Sequence, residues 1–372
     1  MKNFRKGQAG FSLIEMMVAM AVLLIVAGVV MRAMMQMMNV QGTLANRSEM
    51  HSGLRSATEL LQQEIGQAGK VSVPPYPWWW NPAWWGNPPL LMATAVTGAT
   101  ATNPVTMTVS VSGANAYYTG ATAGMFNGEY LVIDVGNNTT LAGSPDNQET
   151  VQISNLQSNA FTATFFKPHL ANVPILVQGA FATGVVPPDT ATLTAQGVAG
   201  VTGQTNGSNA SVLKLYGDLN GDGNMMYAEY VCDTVNGNLY RNVMAFDTPI
   251  ASKPQRTPSM IVLNNLLPNP ANAAGVQTPC FTYYVKPIII APATSPTLFV
   301  VNVEITLTAQ TAYADPQTHV YQKESKALLN VSPRNVFQGW MLAGLGANNR
   351  VQPMPATIGD ASGTTGLIST TP

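Results

Sequence analysis

Lys6-Gly7-Gln8-Ala9-Gly10-Phe11-Ser12-Leu13-Ile14-Glu15 runs straight into an apolar stretch that reaches Met31. A short basic leader, a small residue, an aromatic residue and one carboxylate thus stand in front of a membrane-length helix. Ordinary secretory signals place the small-residue cleavage site after the apolar stretch. Here Gly10 precedes it, so a cut after Gly10 leaves the helix on the mature chain. Glu15 is the chemical oddity. A carboxylate in a lipid-facing helix costs about 2.5–3.5 kcal/mol on insertion scales, and such residues usually have a partner. After a cut at Gly10, the new α-amino group of Phe11 would lie one helical turn from Glu15. In a bundle of such helices, that amine on one copy can meet Glu15 of its neighbour, cancel two buried charges and fix the register. The competing reading is an uncleaved signal anchor with an incidental glutamate.

Lys2, Arg5 and Lys6 precede the span with no acidic residue among them, which keeps the N-terminus cytoplasmic and sends the rest across the membrane. The span from Phe11 to Met31 rises to about 30 Å, enough to cross a bilayer. Met50, Leu54, Ala57, Leu61 and Ile65 continue the three- and four-residue spacing, and Gly66, Gly69, Pro74 and Pro75 end it. One long helix is expected over 11–66.

Gly10-Phe11-Ser12-Leu13-Ile14-Glu15 resembles the class III signal of type IV pilins and type II secretion pseudopilins. The resemblance implies cleavage by prepilin peptidase after Gly10, a methylated N-terminus at Phe11, and Glu15 as the residue that recruits the next subunit. It also implies other minor and major pilins as partners through their helices, and an inner-membrane stage before an extracellular filament.

The chain has 372 residues, of which 9% are charged, and a net charge of −1. That balance argues against nucleic acid, whose phosphates demand a basic surface. Beyond the helix, alternating segments separated by Asn-Gly turns predict antiparallel strands: 105–111, 129–135, 149–153, 160–166, 211–216, 238–243 and 298–309. The fold class is α+β, a long N-terminal helix, its first half transmembrane, packed on a large antiparallel β-rich domain. The organisation expected is a leader 1–10, the helix 11–66, a Pro/Trp-rich loop 67–90, a β-rich inserted block 91–186, a linker or loop 187–208, a second β block 209–338 and a flexible tail 339–372. The segments 218–223, 229–231, 238–241 and 331–335, with 54–57 and 65–69 at the helix end, are similar to PilW-type minor pilins and, more distantly, to the J-type minor pseudopilin. The resemblance implies a minor pilin that primes or caps a filament. A secretion pseudopilin and a tip adhesin are the alternatives.

Cys232 and Cys280 are the only cysteines, and an even pair in an oxidising compartment reads as a disulfide between neighbouring strands, against two buried thiols. Asp218, Asn220, Asp222, Asn224 and Glu229 fit the calcium-loop spacing D-x-N-x-D-G-x5-E, in which alternate oxygens converge on one cation. A tight hairpin turn demands the same residues, and the flanks read as strands. Trp78, Trp79, Trp80, Trp84 and Trp85 crowd a proline-rich stretch that is either a loop burying its own rings or an exposed platform for a partner or glycan. His51, His169 and His319 are scattered, as single satisfied histidines would be. No nucleophile elbow, phosphate loop or cofactor fingerprint occurs, so a structural rather than catalytic protein is expected.

Overall fold

A computed structural model describes residues 12–72, 90–112, 122, 124–135, 147–198, 200–359 and 366–370. It shows a long apolar helix followed by antiparallel β structure, the expected α+β class. Helix α1 spans Leu13–Gln67, 55 residues. The chain divides into two compact units, one of Met1–Ser52 and Gln310–Glu324, the other of Gly53–Ala309 and Ser325–Pro372.

In the first unit, the large apolar side chains of α1 from Leu13 to Leu44 are exposed, Leu24 at 72%. Within 310–324, residues 311–322 form a loop organised by Asp315. Its carboxylate accepts the N–H groups of Gln317 (2.8 Å) and Thr318 (3.0 Å), the Gln322 amide (3.2 Å) and the Thr43 hydroxyl (3.1 Å). The Thr318 and Gln317 amides hold this carboxyl below its ordinary range. His51 pairs with Glu324 in the same unit.

The second unit begins with a closed barrel. Strands β1 (Leu90–Met92), β2 (Val105–Ser112), β3 (Tyr130–Ile133), β4 (Glu149–Gln157), β5 (Ala160–Phe165) and β6 (Val173–Val177) follow the order β1-β2-β5-β4-β3-β6. β1 closes the ring by pairing with both β2 and β6. Closure leaves no sheet edge to aggregate. Alternation points Val109, Val111, Phe161, Ala163 and Phe165 inward. On the outer face Thr106 meets Thr164 and Thr108 meets Thr162, hydroxyl to hydroxyl at 2.7 and 2.9 Å.

After β7 (Ala180–Phe181), the stretch 187–208 is not a bare linker. It holds a short helix α2 (Thr190–Ala195), capped by Asp189 through a 2.7 Å bond from the Thr192 amide. Leu193 and Ser208 are buried, and the Asp189 amide donates to the Ser208 carbonyl at 3.0 Å. A good N-cap and one apolar anchor overrode a composition that resembled a flexible connector.

Strands β8 (Val212–Gly217), β9 (Met226–Asp233), β10 (Asn238–Ala245) and β11 (Ile261–Asn264) make an antiparallel sheet in the order β11-β10-β9-β8. One face carries the end of α1, where Leu54, Ala57, Leu61 and Ile65 are all buried. Glu64 anchors the helix to this face: its carboxylate accepts the Tyr230 hydroxyl at 2.6 Å and the Arg241 Nε–H at 2.9 Å. The helix exits at Gly69, whose φ of +79° suits glycine. A Cβ on Gly184 would lie 2.1 Å from the Gly69 Cα, so the two chains can cross only without a side chain there.

Strands β12 (Leu266–Leu267), β13 (Phe281–Ile288) and β15 (Lys323–Val331) all pair with β14 (Thr297–Gln310). The Cys232–Cys280 disulfide forms, with a Cα–Cα separation of 6.5 Å. Cys232 lies in β9 and Cys280 just ahead of β13, so the bridge staples two different sheets rather than adjacent strands of one.

The flexible tail expected over 339–372 is corrected by its described residues. Helix α3 (Arg334–Gly344) buries Val336 and Ala343, and β16 (Val351–Gln352) pairs in parallel with β7. Ile358, Leu367 and Ile368 are fully buried with Tyr216, Tyr227 and Met244 on the second face of the β8–β11 sheet.

Candidate functional site

The N-terminal motif is the first candidate. Gly10 and Phe11 lie outside the described residues. Ser12 and Glu15 are described: the Ser12 amide donates to Glu15 Oε2 at 2.9 Å. This is the backward half of a capping box, in which the acid at the third helical position satisfies the capping residue's own N–H. Glu15 therefore sits in the first turn, exposed, at the head of an apolar helix long enough to cross a membrane. Such a run of exposed apolar side chains demands cover by lipid or by other helices.

These features define a class, the type IV pilin-like and pseudopilin-like proteins, which prepilin peptidase processes. The family model for the prokaryotic N-terminal methylation motif matches residues 5–31 and supports that assignment for this chain. No curated protein and no solved structure matches the chain.

The candidate calcium loop folds otherwise than its spacing suggests. Asp218 is buried, its Oδ2 2.6 Å from Lys70 Nζ and 3.2 Å from the Gly223 amide. Asp222 takes the Asn224 amide at 2.9 Å, a local turn bond. Glu229 lies inside β9, where its Oε1 accepts the Tyr227 hydroxyl (2.8 Å) and the Lys253 ammonium (2.7 Å). The terminal carboxylate is thus spent on a buried cation, and the set does not fit a calcium ion. Among the described residues no group of three His, Cys, Asp or Glu side chains is arranged to hold a metal. Asn220, Asp222 and Asn224 instead line, with Phe126, Met225 and Phe246, a cleft of about 820 Å³.

The tryptophans at 78, 79, 80, 84 and 85 lie outside the described residues. His169 is buried in the barrel unit, with Glu149 Oε1 2.7 Å from Nε2 and Asp134 Oδ2 3.6 Å from Nδ1. The carboxylates approach different ring nitrogens and do not converge on one point.

Buried charge is what sequence reasoning missed. Lys214 is 4% exposed, its Nζ bonded to the carbonyls of Asn206 (2.8 Å) and Ser369 (2.9 Å). Burial pulls its pKa down to about 8. Glu129 is fully buried, and burial pushes its carboxyl well above the ordinary range. The available signal was a lysine between Leu213 and Leu215 in an otherwise apolar strand.

Proposed function

We propose that the protein is a PilW-type minor pilin of a type IV pilus. The observation that carries this reading is a methylation motif at residues 5–31 joined to a helix whose apolar side chains stand exposed from Leu13 to Leu44. The chain first sits in the inner membrane, held N-terminus inward by Lys2, Arg5 and Lys6. Prepilin peptidase removes residues 1–10, and Phe11 becomes the methylated terminus. The helix then leaves lipid for a core of like helices, where the Phe11 amine of one subunit meets Glu15 of the next. The large β portion would crowd a repeating shaft, which favours a place at or near the tip, priming or capping assembly.

Gly10→Val and Glu15→Ala test the reading. Both variants should remain in the membrane fraction and vanish from sheared filaments, and Gly10→Val should retain its leader by mass. Normal incorporation of both sinks it. A deletion strain with intact pili but failed protein export would move the chain to a type II secretion pseudopilus, whose subunits use the same helix chemistry. Alanine at Trp78, Trp79 and Trp80 tests adhesion by the aromatic stretch: lost attachment with normal filaments would make the subunit a tip adhesin as well.

A further inference from the structure

We propose that Lys253 and Asn242 become joined after folding by an intramolecular isopeptide bond, promoted by Glu229. All three side chains belong to one buried polar pocket under the C-terminal segment. Glu229 is 0% exposed, Asn242 1% and Lys253 7%. Glu229 in β9 and Asn242 in β10 are direct cross-strand partners. Their side chains therefore leave the same face of the sheet with Cβ atoms roughly 5 Å apart. Lys253 Nζ is 2.7 Å from Glu229 Oε1 and is steadied by the Leu367 carbonyl at 2.8 Å and the Ser369 hydroxyl at 3.4 Å. Asn242 Nδ2 donates to the carbonyl of Pro254, the residue after Lys253, at 2.9 Å. The amide is thus tied to the lysine's own loop.

Two atoms of this pocket have no hydrogen-bond partner: Glu229 Oε2 and Asn242 Oδ1. Buried orphans of this kind are uncommon and costly. They belong to opposed residues, and one proton satisfies both. Placed on Glu229 Oε2, it would be donated to Asn242 Oδ1.

Lys253 is the source of that proton. The reaction starts with transfer of one proton from the Lys253 ammonium to Glu229 across their 2.7 Å contact, leaving an amine and an acid. The transfer frees the lone pair on Nζ, and the acid polarises the Asn242 carbonyl. Nζ then attacks Cγ, forming the C–N bond and a tetrahedral intermediate. Collapse breaks the Cγ–Nδ2 bond. Nζ loses two protons in all, one before the attack and one as the new amide forms. Glu229 relays both to Nδ2, which departs as ammonium, and Glu229 ends as the carboxylate it was at the start. Amine plus primary amide give secondary amide plus ammonia, so no oxidant or co-reactant is needed. The product closes the loop 243–252 covalently and, unlike Cys232–Cys280, resists reductant.

Mass spectrometry of the folded, purified full chain tests this. Lys253 precedes proline and resists trypsin, so Asn242 and Lys253 share the tryptic peptide 242–256, bounded by Arg241 and Arg256. That peptide is expected to be about 17 Da light, one ammonia, with no backbone fragments between its two linked residues. Glu229→Gln should restore the full mass with unchanged circular dichroism, and Asn242→Asp should lose about 18 Da, as water, instead. A wild-type peptide of full mass after prolonged incubation in the folded state overturns the proposal, whatever the variants do. So does a light peptide that still fragments between 242 and 253, which marks a succinimide at Asn242.

Discussion

The β8–β11 sheet buries its two faces in different ways. Toward α1 it meets a regular apolar stripe, Leu54, Ala57, Leu61 and Ile65, and one carboxylate, Glu64, that takes donors from Tyr230 and Arg241. Toward the C-terminal segment it meets Leu367 and Ile368 together with two lysines, Lys214 and Lys253, whose acceptors include the carbonyls of residues 367 and 369. The first face is closed by a helix that brings its own hydrogen bonds. The second is closed by a strap of irregular chain whose backbone carbonyls serve one lysine of the sheet, Lys214, and one of the β10–β11 connection, Lys253. A helix has no carbonyls to spare in its interior, whereas an irregular segment must place its own somewhere. Two buried lysine nitrogens are one solution.

Removing each cover sharpens this contrast. Deletion of 366–372 should have the largest effect. It takes two fully buried side chains from the core, at about 2–5 kcal/mol each, and strips acceptors from both lysines. A loss of that size matches the whole stability of many domains. We expect a protein that is cleaved rapidly by added protease. A deletion variant with an unshifted denaturation midpoint would show that the strap is decoration.

Leu61→Ala attacks the other face and should cost about 2–5 kcal/mol in urea denaturation. Leu24→Ala, on an exposed turn of the same helix, should leave the midpoint unchanged while weakening retention in filaments. Equal effects of the two substitutions on folding would break the division of α1 into a packing part and a docking part. Glu64→Ala comes next. It strands the Tyr230 hydroxyl and the part-buried Arg241, at about 1–3 kcal/mol, and Glu64→Gln should recover part of that loss.

The α1 face was legible in the sequence because a helix writes its burial at three- and four-residue intervals. Strands β2 to β5 of the barrel, with β8, β10 and β14 of the sheets, were legible for the same reason at period two, whereas β1, β6, β11, β12 and β15 were not. The methylation motif over 5–31 was legible because a carboxylate in an apolar run has so few innocent explanations. Barrel closure was not, since the pairing of Leu90 with Ile175 leaves no local trace. Nor was the strap: Leu367 and Ile368 are two apolar residues in a Gly/Thr/Ser-rich stretch, too short for any period. The loop from Asp218 misled through its oxygens. Their spacing is that of a calcium site, but β9 begins at Met226, and strand alternation then turns Glu229 to the same side as Tyr227, into the core. Lysine defaults to the surface in any reading by composition, and only the register of Lys214 opposite Glu229 shows that it is inside.

The smallest predicted effect isolates that lysine. Burial lowers the Lys214 pKa from 10.5 in the unfolded chain to about 8 in the folded one. Between those values the unfolded state holds more protons than the native state, so stability rises with pH. Below about 8 the ammonium is present in both states and its desolvation cost is fully felt. Above about 10 the direction reverses. Burial raises the hydroxyls of Tyr216, Tyr227 and Tyr283, so the unfolded chain loses those protons first and gains stability from their ionisation. The urea midpoint should therefore climb from pH 8, peak near 10 and then fall. Lys214→Met should flatten the climb and leave the fall, with a gain at pH 7 on the order of 1 kcal/mol. A climb that survives in Lys214→Met would mean that the strap face holds its lysine at no electrostatic cost, and that the two faces of the sheet differ in shape alone.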